Sequence, residues 1–66
     1  MLYNYRFIDN VMKKYEEAGF NKAQIKELRR GLEDDVDIKH YDNINYSADE
    51  MFDMRWKLVK EKEIWR

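Results

Sequence analysis

Shifted by 26 residues, the chain overlays itself. Phe20 falls on Tyr46, Gln24 on Glu50, Ile25 on Met51 and Leu28 on Met54. Arg29 falls on Arg55, Leu32 on Leu58 and Ile38 on Ile64. Each copy opens with the start signal of a helix. Asn21 with Gln24, and Ser47 with Glu50, are capping boxes, in which two side chains satisfy backbone N–H groups that a helix leaves without partners. Phe20 with Ile25, and Tyr46 with Met51, are the matching hydrophobic staples. The two copies span 20–41 and 46–66. Short helical repeats rarely bury their apolar face alone, so they need a third wall.

The segment before the first copy supplies it. Tyr5, Ile8, Met12 and Tyr15 recur at the helical period, and Phe7 and Val11 widen the stripe. Gly19 is a natural left-handed stop, after which Phe20 folds back on Tyr15. The expected fold is all-α: a compact three-helix bundle, one domain over 1–66, with helices at about 4–18, 22–34 and 48–63. The apolar stripes are Ile25, Leu28 and Leu32 in the second helix, and Met51, Met54 and Leu58 in the third, with Trp65 further along the same face. No segment alternates with period two for long enough to make a strand. The connector 35–46 is acidic but holds Val36, Ile38, Tyr41 and Ile44, enough to pack down, with at most one short helical turn capped by Asp37.

The first copy, FNKAQIKELRRGLEDDVDIKHYD, resembles a short tandem helical repeat of proteins from Gram-positive bacteria, their phages and mobile elements. Its pattern is [FY]-x-x-x-Q-[MI]-x-x-[IL]-R-x-G-L-x-x-G-x-D-[IV]-x-x-Y. The matching residues are Phe20, Gln24, Ile25, Leu28, Arg29, Gly31, Leu32, Asp37, Ile38 and Tyr41. Asp35 stands where the pattern has a second glycine, and Asp tolerates the left-handed conformation better than most residues. The second copy lacks both glycines. The resemblance implies a helical scaffold and a mobile-element setting, and no catalytic residues.

Composition narrows the chemistry. The 66 residues contain no Cys, so disulfides and cysteine-based zinc sites are excluded, and a reducing cytosol is the natural setting. No stretch approaches the ~20 apolar residues of a membrane span, and the first ten residues carry no export signal. The expected location is the cytoplasm of a bacterial host cell. With one Ser, one His and no Thr or Cys, a nucleophile–base–acid arrangement lacks parts. Asp37, His40 and Asp42 lie close together, but two carboxylates and a lone imidazole in a loop do not specify a metal. Neither an enzyme nor a cofactor is expected.

The net charge of −1 conceals a segregation. Residues 1–32 and 54–66 each carry +3, while 33–53 carry eight acids and one Lys. One reading is ordinary helix surface and loop. The other is an acidic patch for a basic partner, with Asp34, Asp35 and Asp37 mattering to binding more than to folding. A second surface emerges from the repeat itself. Phe52, Trp56 and Val59 share a face of the third helix, and their counterparts in the first copy are Lys26, Arg30 and Glu33. That face either packs on the first helix through Phe7 and Val11 or is a binding surface, and Trp65 poses the same choice. Arg29 and Arg55, common to both copies, suggest a shared pairing with Asp37 and Glu63.

Small size, missing catalytic parts, aromatic density and the implied setting lead to one expectation. The chain is a non-catalytic protein-binding module, an inhibitor or adaptor that occludes a larger partner, one with a basic nucleic-acid-handling surface. Phage-borne counter-defence proteins, anti-CRISPR proteins among them, share that profile. A homo-oligomer is compatible with the same surfaces. The alternative is a small helix-turn-helix-like DNA-binding regulator using Lys22, Lys26, Arg29 and Arg30. Against it stand the long connector and the slightly acidic balance, so direct nucleic-acid binding is not expected.

Overall fold

A computed structural model describes the backbone of residues 5–64 and the side chains of residues 6–62. It is an all-α three-helix bundle: α1 (Tyr5–Glu17), α2 (Lys22–Glu33), a single 3-10 turn at Ile38–His40, and α3 (Ala48–Ile64). Asn4, the expected first residue of α1, and Trp65 lie outside the described residues, as do the Tyr5, Glu63 and Ile64 side chains. Among the described residues no helix is long and apolar enough to cross a membrane.

Helix ends follow the local chemistry. At the end of α1, Gly19 (φ +104°) turns the chain left-handed. Its N–H donates to the Glu16 carbonyl, and the Phe20 N–H donates to the Tyr15 carbonyl. The Tyr15 and Phe20 rings then meet edge to face at 5.2 Å. The same closure ends α2, where Asp35 takes φ +59°. The Asp35 N–H donates to Leu32 O and the Val36 N–H to Gly31 O. Both capping boxes form: Asn21 and Gln24 bond reciprocally at 2.8 and 2.9 Å, Ser47 and Glu50 at 3.1 and 2.9 Å.

Helix α2 is the hub: α1, α3 and the 3-10 turn each pack on it, whereas α1 and α3 scarcely meet. The core joins Ile8 and Met12 of α1, Leu28 and Leu32 of α2, Val36, Ile38 and Tyr41 of the connector, and Met51 of α3. Each such side chain contributes about 1.5–3 kcal/mol by leaving water. Helix α1 thus supplies the third wall through Ile8 and Met12, and the connector adds a further one through Val36, Ile38 and Tyr41. Ile44 departs from expectation: it remains 47% exposed, its Cδ1 lying close over Gly19.

Three polar ties hold the connector down. The Tyr41 hydroxyl, in a residue with no exposed surface, donates to Glu27 O at 3.0 Å. The Gln24 amide nitrogen donates to Ile44 O at 3.0 Å and to Tyr46 O at 2.7 Å. The Tyr15 hydroxyl donates to Asp42 Oδ2 at 2.8 Å. Asp37 caps the 3-10 turn by accepting from the Lys39 N–H.

These ties carry a pH dependence. Burial, reinforced by the Asp42 hydrogen bond and charge, pushes the Tyr15 phenol up to about 12. Burial raises the Tyr41 phenol further, against the opposing pull of Arg55. A phenol whose folded pKa exceeds its unfolded value near 10 adds stability that is complete below pH 10 and lost as pH climbs through the folded value. The protein should melt unchanged between pH 8 and 9.5 and progressively earlier from pH 10 to 12. Tyrosinate absorbance at 295 nm should show two late-ionising phenols. A melting temperature flat to pH 12 would contradict this account.

Candidate interaction surface on the third helix

Arg55 is the organising residue of α3. Its neighbours on the helical stripe are apolar, yet it is only 4% exposed. Nη1 donates to Asp34 Oδ2 at 2.6 Å, at the C-terminal end of α2. Nε lies 3.5 Å from Glu27 Oε1, an electrostatic contact without hydrogen-bond geometry, and both atoms are buried without a hydrogen-bond partner. The guanidinium sits 5.4 Å from the Phe52 ring centre and 5.6 Å from that of Trp56, within cation–π range. The two rings meet edge to face at 6.1 Å.

Phe52 and Trp56 thus roof a buried cation, and they do so with 42% and 44% of their surface still exposed. Val59 lies against the core beside them. Together with Arg30 and Glu33 of α2, and Asp34 that caps it, these residues line a groove between α2 and α3. Packing of this face on α1 is not what occurs. Helix α1 lies on the other flank of α2, where Phe7 and Val11 line a separate groove with Leu32, Val36 and Ile38.

The other expected site residues are distributed as follows. Asp34, Asp35 and Asp37 are all exposed, but each has an intramolecular role. Asp34 pairs with Arg55, Asp35 with Lys62 Nζ at 2.9 Å, and Asp37 caps the 3-10 turn. Lys62 also donates to the Asp34 and Asp35 carbonyls at 3.3 and 2.8 Å, placing a cation at the negative end of the α2 dipole. Of the eight acids in 33–53, five are engaged in this manner, Asp42 and Glu50 being the others. Glu33, Asp49 and Asp53 form no ion pair or side-chain hydrogen bond among the described residues.

On α2, Lys22, Lys26 and Arg30 are exposed, whereas Arg29 is drawn aside to Asp9 at 2.8 Å. The two repeated arginines therefore do not share a pairing. Arg29 meets α1 at the surface, and Arg55 meets α2 in the interior, because the copies flank different neighbours. Asp37 is the partner of neither; Arg55 bonds Asp34, and the Glu63 side chain lies outside the described residues.

Sequence reasoning missed the burial of Arg55, the second role of Gln24 and the bridge made by Lys62. The recurrence of arginine beside a face that turned from charged to apolar was the available signal for Arg55. No protein-family model matches the chain, and neither a curated protein nor a solved structure matches it.

Proposed function

We propose that this chain is a non-catalytic protein-binding module that docks on a larger partner through the α3 face. The observation that carries the reading is the exposed Phe52–Trp56 pair, set where the first copy of the repeat has Lys26 and Arg30. Large rings in a semi-enclosed setting are the side chains that dominate binding energy at interfaces. Around them stand Glu33, Asp49 and Asp53, exposed carboxylates without an ion pair among the described residues, which favour a basic partner surface. An inhibitor or adaptor acting by occlusion fits a chain of this size. The mobile-element resemblance makes a nucleic-acid-handling protein, with anti-CRISPR-like counter-defence as the sharpest form, the partner class to test first.

The test is an affinity capture from a Gram-positive bacterial lysate with two baits: the natural chain and Phe52→Gln/Trp56→Gln. Circular dichroism establishes that both are folded. A protein held by the natural chain, lost from the variant, and released by salt supports the reading. Equal capture by both baits overturns the assignment of the surface. Retention on duplex DNA at ~150 mM salt, abolished by Lys26→Glu/Arg30→Glu, would favour the DNA-binding alternative instead.

A further inference from the structure

The exposed face of α3 carries its charges in a definite order. Asp49 and Asp53 occupy its N-terminal half, Lys57 and Lys60 its C-terminal half. All four are exposed, and none forms an ion pair among the described residues. Between them lie Phe52 and Trp56. Asp49, Phe52, Trp56 and Val59 follow the 3-4-3 spacing of a helix-pairing seam.

We propose that, when no other protein occupies it, this face is covered by a second copy of the chain, with the two α3 helices packed antiparallel about a two-fold axis. Such an axis returns every contact twice, so the face must be complementary to itself read backwards. It is. The pair Asp49–Lys60 is centred on position 54.5, Asp53–Lys57 on 55 and Phe52–Trp56 on 54. One axis between residues 54 and 55 therefore sets each Asp against a Lys of the mate and gathers the four rings at the centre. The three centres span one residue, a helical rise of about 1.5 Å, so each lies within half a residue of that axis. A parallel mate would face Asp with Asp and Lys with Lys, and would align the helix dipoles unfavourably.

The seam is one helix wide and about 26 Å long for the 17 residues of α3. That falls below the ~1,200 Å² of a standard stable interface, so the dimer is weak, with a dissociation constant on the order of tens of micromolar. A stronger partner displaces it. This goes beyond the partner-binding reading and is tested on purified protein, so either idea can fail without the other.

The experiment is sedimentation velocity from 5 to 500 μM, in concentration units chosen to bracket roughly tens of micromolar. The natural chain should shift from monomer to dimer across that range. Asp49→Lys/Asp53→Lys makes the face wholly basic, and Lys57→Glu/Lys60→Glu makes it wholly acidic; each alone should remain monomeric. Their equimolar mixture should sediment as a dimer. The fourfold exchange, with both pairs reversed, should restore self-association by itself. Lys57→Glu/Lys60→Glu alters no first-turn residue, so it keeps the test open if the basic variant fails to fold. A natural chain monomeric at 500 μM, tens-fold above roughly tens of micromolar, would overturn the proposal. So would charge variants that dimerise as well as the natural chain, or a mixture that stays monomeric.

Discussion

Gly31→Ala should destabilise the protein by about 3 kcal/mol, although alanine is the better helix former by about 1 kcal/mol. A Cβ at Gly31 would stand 1.9 Å from the Tyr41 hydroxyl oxygen, 2.6 Å from Ile38 Cγ2 and 3.1 Å from Tyr41 Cζ. Neither neighbour has room to retreat, since Tyr41 is wholly buried and Ile38 6% exposed. Overpacking of this kind costs about 1–3 kcal/mol, and displacing the hydroxyl from Glu27 O strands a buried donor at about 1–3 kcal/mol more. A domain of this size holds only about 3–10 kcal/mol in total, so much of its stability is at stake. Urea unfolding measures the loss. Tyr41→Phe, mildly destabilising alone, should recover part of it in the Gly31→Ala background because the closest clashing atom is gone. A Gly31→Ala variant as stable as the natural chain would show that the connector does not lie this close to α2.

The second large effect belongs to Gln24→Glu. Its oxygen caps α2 by accepting from the Asn21 N–H, a task that Glu performs equally well. Its nitrogen donates to the Ile44 and Tyr46 carbonyls, a task that a carboxylate cannot perform. At neutral pH the substitution brings a negative acceptor against two carbonyl oxygens in a residue 5% exposed. The expected cost is about 3 kcal/mol, two lost bonds and the desolvation of a charge. The sign with pH is diagnostic. The introduced carboxyl is held above its unfolded pKa, so its penalty is fullest above that folded value and shrinks as pH falls and the protonated acid regains one donor. Urea midpoints at pH 7 and pH 4, each compared with the natural chain, check it. A penalty that is the same at both would place the damage elsewhere.

Gln24 also shows where reading the sequence stops. As the third residue of a capping box it was legible, and Glu50 occupies the same place in the second copy. The chain announces both helix starts in identical terms, yet one amide is buried under a connector and the other carboxylate faces water. The left-handed turn at Asp35 was legible for the same reason as the one at Gly19: both follow from which residues tolerate positive φ next to a helix end. The burial of Val36, Ile38 and Tyr41 followed from the scarcity of apolar surface in so small a chain. What periodicity does not encode is which neighbour a helix acquires. The stripe of α3 predicts Met51, Met54 and Leu58 facing inward, but a buried Arg55 needs carboxylates from another helix, and those are tertiary. For the same reason the exposed rings were ambiguous: their helix face was clear, and the side of α2 on which α1 would lie was not.

The ties that hold the connector and the helix ends together have a kinetic consequence. Tyr41 to Glu27 spans 14 residues, Gln24 to Ile44 and Tyr46 spans 20 and 22, and Lys62 to the Asp34 carbonyl spans 28. The longest loop is twice the shortest, and one doubling adds only ~0.6 kcal/mol of closure entropy. No tie is therefore much slower to find than another, and none is strong enough to persist while the rest are open. Chains whose contacts are this local cross a low search barrier. With α2 the shared partner of every other element, loss of any one piece uncovers part of its apolar surface. Such a chain leaves little for a folding intermediate to stand on.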